Sequence, residues 1–152
     1  MVLLIAGCST AFVSVFLSAG GGGVVANLIL SVPGGHWMAF ALIMLIAFIL
    51  GMFIDWIGII FILVPILAPI VPKLGFNPLW FAMMIIVNLQ MSFLTPPFAY
   101  AIFFLKGAAA PELGIDTADI IRGVIPFIGL IVIGLILMIA FPQIILWLPS
   151  TM

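Results

Sequence analysis

The sequence predicts an all-α integral membrane protein, and composition, hydropathy and punctuation each point there. Of 152 residues, 68% are hydrophobic and 5% charged, whereas soluble domains carry about a quarter charged residues. Mean hydropathy is +1.63. Apolar runs of spanning length alternate with Gly- and Pro-rich breaks. The net charge of −1 gives no basic footprint for nucleic acid, so none is expected as a partner. A single cysteine, Cys8, excludes an internal disulfide and any thiolate metal cage. Ile5-Ala6-Gly7-Cys8 looks like a lipoprotein processing box, but no Lys or Arg precedes it and the apolar run before it is too short for a signal peptide.

Residues 2–18 are read as a transmembrane helix. Its small residues (Ala6, Gly7, Ser9, Ala11, Ser14) suit close helix approach. The run Gly20-Gly21-Gly22-Gly23 is expected to end it as a flexible break; no Lys-Ser/Thr follows, so it is no phosphate loop. Residues 24–31 are too short to cross and are read as a connecting helix, stopped by Pro33-Gly34-Gly35. His36 and Trp37 open the next apolar run at headgroup level, where Trp is favoured. A lone interfacial histidine is most simply solvated, and one histidine excludes bis-imidazole haem ligation.

Residues 37–71 are too long for one span and slightly short for two, so a helical hairpin is expected. It turns inside the membrane around Gly51 to Gly58, its second arm loosened by Pro65 and Pro69. Asp55, the only charge in that run, sits near its middle. A carboxylate at such depth costs roughly 2.5–3.5 kcal/mol even on permissive insertion scales. Lys73, Lys106 and Arg122, the three basic residues, lie at segment ends. Asp55 then has two open roles: N-cap of the hairpin's second arm, or part of an ion pathway or ion site.

Residues 77–105 read as a transmembrane helix broken at Thr95-Pro96-Pro97. Proline lacks an N–H, so Pro96 and Pro97 strip donors from the carbonyls of Ser92 and Phe93 and push the preceding residues towards extended backbone. In hydrocarbon such a break survives only where protein, water or a ligand satisfies it. Two half-helices then meet: one offers negative C-terminal carbonyls, the other, starting near Phe98, positive N–H groups. Asn88, Ser92 and Thr95 share one face upstream. The bland alternative is an ordinary proline kink. Most of the chain's charges fall between Lys106 and Arg122, where Asp116 is an expected N-cap for a short surface helix. The positive-inside rule puts that loop in the cytoplasm, and residues 123–148 form a last span ending outside.

With these motifs in hand, GMFIDWIGIIFILVPILAPIVPKLGFNP followed by NLQMSFLTPPFAYAIFFLKG resembles the large permease subunit of tripartite ATP-independent periplasmic (TRAP) transporters. The resemblance runs from about Leu4 to Leu148 and covers what would be the C-terminal part of a full-length member. It implies half of an inverted-repeat, elevator-type secondary transporter, with one re-entrant hairpin and one discontinuous helix. It further implies import of an organic anion, often a carboxylate, coupled to sodium, in a bacterial inner membrane. The implied partners are the missing N-terminal repeat, a small membrane subunit and a periplasmic substrate-binding protein. With one hairpin and one broken helix, the chain is read as the tail of a longer permease or one half of a split one.

The expected ion site comprises Gly51, Asp55, Ser92, Phe93 and Thr95. Asn88, Thr95, Pro96, Pro97 and Phe98 are expected at the substrate or the helix break. Sodium is the only metal expected, and no cofactor. The competing reading is a non-catalytic membrane subunit or anchor packing against partner membrane proteins. An enzyme is not expected: intramembrane aspartyl proteases need two embedded aspartates, and a serine–histidine pair would have to recruit His36 from the interface.

Overall fold

A computed structural model describes residues 1–97, 99–109 and 114–151, which fold into helices with no strand among them. Helices α1 (Val2–Ser18) and α2 (Gly21–Leu30) are bent by 76° at Ala19 and Gly20. The glycine run expected as a break instead opens α2, and only Gly20 is left-handed, at φ 84°. Close approach explains Gly21 and Gly22: a Cβ on Gly21 would lie 2.5 Å from the Phe16 ring, and one on Gly22 would lie 2.7 Å from Leu17, whereas Gly23 has open space around it. A connecting helix expected from residue 24 therefore begins three residues earlier.

The stretch expected as a hairpin is α3 (Gly35–Phe53) and α4 (Trp56–Leu67), separated by extended backbone at Ile54 and Asp55. A short 3-10 turn (Pro72–Leu74) and a left-handed Gly75 follow. Asn77 then caps α5 (Pro78–Leu94), its Oδ1 accepting from the N–H groups of Leu79 and Trp80 at 2.9 and 3.2 Å. Next come α6 (Tyr100–Ala108), α7 (Thr117–Ala140) and α8 (Gln143–Ser150). Asp116 caps α7 itself, a helix of 24 residues and not a short surface helix. Its N–H donates to Asp119 Oδ2 at 3.1 Å.

Side-chain contacts fix how these helices run. Phe40 lies against Trp80 and Phe81, Asn88 bonds the Met44 carbonyl, and Gly51 abuts Ser92. Residue numbers rise together on both helices, so α3 and α5 are parallel. At 1.5 Å per residue, Gly51 lies about 21 Å beyond Trp37 and Ser92 about 18 Å beyond Trp80. Both helices therefore break at one level, well inside a hydrocarbon core of about 30 Å. The chain returns along α4, because Phe76 rejoins His36 and Trp37 at ring distances of 5.5 and 5.4 Å. The arms are splayed: α4 packs mainly along α1, and α3 mainly along α5.

The last span departs from a single 123–148 helix. It begins at Thr117, stops at Ala140, and resumes as α8 after Phe141 and Pro142. Lys106 Nζ donates to Thr117 Oγ1 at its start, while near its end the Met138 carbonyl accepts from Trp80 Nε1 at 3.0 Å. From Thr117 to Met138 is about 32 Å of helix, a full membrane crossing. Lys106 with the start of α7 and the aromatic cluster of His36, Trp37, Phe40, Phe76 and Trp80 therefore occupy opposite ends. Phe81, Ile70 and Met84 are fully buried at the centre of the core. In lipid such contacts hold helices together by tight packing, because leaving lipid tails brings no hydrophobic gain.

Candidate functional site at the paired helix breaks

Gly51 and Ser92 bring the two breaks together. A Cβ on Gly51 would lie 2.8 Å from Ser92 Cβ and 3.2 Å from Leu89 Cδ2. Only glycine lets the two backbones come this close, three residues before the Ile54–Asp55 interruption. Ser92 is 1% exposed.

The backbone at the end of α5 rearranges because of the prolines. Pro96 cannot donate to the Ser92 carbonyl, and the Thr95 N–H closes onto it instead, at 3.1 Å. That diverts the donor normally given to Met91, and Thr95 Oγ1 replaces it, donating to the Met91 carbonyl at 2.8 Å. Ser92 Oγ donates to the Leu89 carbonyl at 2.8 Å. Each hydroxyl has thus given its proton to its own helix, and its lone pairs are what remain for a ligand. The Phe93 carbonyl, whose usual partner would be Pro97, receives no hydrogen bond from a described residue.

The Pro96–Pro97 bond is cis, and Ala99 is left-handed at φ 38° before α6 begins at Tyr100. Phe93 and Tyr100 stack across the interruption with centroids 5.4 Å apart, which orients α6 on α5. Phe98, expected at the start of the second half-helix, lies outside the described residues.

Asp55 occupies the N-cap position of α4 with extended backbone (φ −61°, ψ 143°), yet its side chain makes no capping bond. It is half-buried. Only its carbonyl takes part in the helix, accepting from Ile59 at 3.2 Å. Capping alone therefore does not account for this carboxylate. No group of three or more His, Cys, Asp or Glu side chains converges among the described residues, so any cation here would be held by carbonyl and hydroxyl oxygens beside at most one carboxylate. That donor set suits a hard cation better than a transition metal.

Asn88, expected at the substrate or the helix break, joins two helices: its Nδ2 donates to the Met44 carbonyl at 2.8 Å, and it is 3% exposed. Trp80 was not anticipated. Pro142 has no N–H for the Met138 carbonyl, and the Trp80 indole supplies one from across the bundle. Proline at 142 is visible in the sequence, but the partner is 58 residues away and carries no local signal.

Between α4 and α5 lies a cleft of about 220 Å³ lined by Trp56, Ile60, Ile86, Leu89, Gln90 and Phe93. A second, more apolar cleft runs between Val64–Val71 and Pro78–Ile85. Together they show that α4 and α5 are antiparallel. His36 is exposed at the far end, beside Trp37 and Phe76, and Cys8 is exposed on α1.

The family described as "Tripartite ATP-independent periplasmic transporter, DctM component" matches residues 1–144. A sialic acid TRAP transporter large permease protein of Vibrio cholerae is 32% identical over 127 residues, which are 84% of this chain and 29% of that protein. An ectoine/5-hydroxyectoine TRAP transporter large permease protein of Ruegeria pomeroyi is 36% identical, over 68% of this chain and 23% of that protein. A C4-dicarboxylate TRAP transporter large permease protein of Vibrio cholerae is 27% identical, over 70% of this chain and 22% of that protein. The chain thus spans less than a third of the length of each of these relatives. No solved structure matches it. Two parallel helices broken at one depth, and a family match over almost the whole chain, lead to one conclusion: the chain belongs to the DctM family of TRAP transporter large permease proteins.

Proposed function

We propose that this chain is the C-terminal part of a secondary active permease that imports an organic anion, a carboxylate, by symport with sodium across a bacterial inner membrane. In this reading it works with the remaining N-terminal repeat, a small membrane subunit and a periplasmic substrate-binding protein. The observation that carries the reading is the pairing of the two breaks. Interrupting a helix inside a bilayer costs several kcal/mol per unsatisfied backbone group. Two interruptions, side by side at one depth and tied by Gly51 against Ser92, suit a ligand site far better than two unrelated kinks. Relatives named for sialic acid and C4-dicarboxylates favour a carboxylate substrate.

Sodium is assigned to the Gly51, Asp55, Ser92, Phe93 and Thr95 group. The C-terminal end of α5 presents partial negative charge, the Thr95 and Ser92 hydroxyls keep their lone pairs after donating to their own helix, and Asp55 adds a formal charge close to Gly51 in the chain. The half-helix after Thr95-Pro96-Pro97 and Phe98 offers the opposite polarity to an anion, and Asn88 locks α5 onto α3 behind the site. In the complete permease, Asp55→Asn and Thr95→Ala should each raise the sodium concentration for half-maximal uptake about tenfold or more, since a contact to a charged species is worth roughly 1.5–3 kcal/mol. Asp116→Asn, at the surface, should leave it unchanged. Assembled Asp55→Asn and Thr95→Ala permeases with wild-type sodium dependence would refute the assignment. Loss of assembly alone would favour a non-catalytic membrane subunit.

A further inference from the structure

A further cleft, of about 500 Å³, opens at the aromatic end of the bundle, far from the paired breaks. It lies between the start of α3, the turn before α5 and the corner where α7 gives way to α8. Phe76, Trp80 and Leu146 form its floor, and His36, Trp37 and Asn77 its rim. Trp80 stacks on Phe76 with ring centroids 5.5 Å apart, and its indole N–H is already given to the Met138 carbonyl. The Trp80 ring therefore offers the cleft only its carbon faces.

The rim is different in kind, because its free polar groups are donors. Asn77 Oδ1 accepts from the N–H groups of Leu79 and Trp80, which leaves the amide NH2 of its side chain. Trp37 is 49% exposed, and its indole nitrogen can only donate. Lys73 is exposed on the turn next to Leu74, which also lines the cleft. Among the described residues, none hydrogen-bonds or pairs ionically with Lys73, the Trp37 indole N–H or His36. No described carboxylate lies at this end either: Asp55 is at the α3–α4 break, and Asp116 and Asp119 are at the opposite end of α7. Free donors without a neighbouring negative charge favour an anion. They stand at headgroup level, where amphipathic Trp rings such as that of Trp37 settle. A small inorganic anion would engage the rim and leave the apolar floor bare. A lipid with a charged phosphate and a hydrocarbon tail matches both parts.

We propose that this cleft binds an anionic phospholipid of the phosphatidylglycerol type. Lys73, Asn77 and Trp37 hold the phosphate, and the upper part of an acyl chain lies on Phe76, Trp80 and Leu146. Such a lipid ties the start of α3, the turn before α5 and the α7–α8 corner together from outside, whatever binds at the breaks.

The test uses the complete permease with its small membrane subunit, reconstituted in dioleoylphosphatidylcholine vesicles. A trace of phosphatidylglycerol carries a diazirine near the top of one acyl chain. After irradiation, crosslinks should fall on the segments 74–80 and 142–146 about fivefold or more above those around Leu130, which is 63% exposed on α7. The same diazirine on phosphatidylcholine should show no such preference. Lys73→Gln should lower the phosphatidylglycerol signal about fivefold, the worth of one lysine beside anionic lipid. Asn77→Asp keeps an N-cap oxygen for α5 but replaces the donors with a negative charge. It should abolish the preference while leaving the thermal midpoint in lipid-free detergent near that of the wild type. Equal labelling of the cleft and of Leu130, or equal preference for phosphatidylcholine, would reduce the cleft to ordinary lipid contact and overturn the site. An undiminished signal in both Lys73→Gln and Asn77→Asp would overturn the headgroup assignment. Crosslinks that appear only after the small subunit is removed would show that protein, not lipid, covers the cleft.

Discussion

Gly51 shows how one residue sets the geometry of the site. Its missing side chain is what lets α3 rest on α5 at Ser92, so any Cβ there must push the helices apart or displace Ser92. Forcing one methyl into such a contact costs about 1–3 kcal/mol. Gly51→Ala should therefore lower the thermal midpoint of the purified permease. The Gly51→Ala/Ser92→Gly double variant should be less destabilised than the sum of the two single variants, because removing Ser92 Cβ clears the space. Strict additivity in that cycle would mean that the contact is not shared. A glycine near a hairpin tip was readable in the sequence as a marker of the tip. Its partner on α5 was not, because which residues meet across two helices depends on their relative rotation.

At the scale of elements, proline chemistry made the α5 interruption legible: two consecutive missing N–H groups leave no helical solution. The turn at Ile54 and Asp55 was legible from length and from a charge in the middle of an apolar run. Gly20 to Gly23 misled, since glycine's low helix propensity costs about 1 kcal/mol per residue, yet α2 begins inside the run, where Gly21 and Gly22 leave room for Phe16 and Leu17. The break at Phe141 and Pro142 was missed in an otherwise continuous apolar run. There Trp80 supplies the donor that Pro142 cannot, which gives a sharp prediction. Trp80→Phe should cost about 1–3 kcal/mol by leaving the Met138 carbonyl without a partner. In a Pro142→Ala background, where residue 142 regains an N–H, the same change should cost measurably less. Equal losses in both backgrounds, measured as unfolding midpoints in one detergent, would show that Trp80 acts through packing alone.

For the whole molecule, the two ends of α7 fix the frame. Its first residue meets Lys106, and its Met138 meets Trp80, about 32 Å away along the helix. One membrane face therefore carries Lys106 and Arg122, and the other carries Trp37, Phe76, Trp80 and α8. Positive charge is retained on the cytoplasmic side, so the Lys106–Arg122 loop is expected in the cytoplasm and the Ser150 end in the periplasm. Both breaks then lie nearer the cytoplasmic face, each about 20 Å in from the aromatic end. Cysteine labelling in a Cys8→Ala background of the complete permease tests the orientation. In intact cells whose outer membrane has been made permeable, an impermeant maleimide should modify Ser150→Cys but not Ala109→Cys, and inverted vesicles should give the opposite result. Labelling of Ala109→Cys from outside would reverse the topology. It would also place the paired breaks, and the cleft at Gln90, on the periplasmic side of the bilayer's midplane.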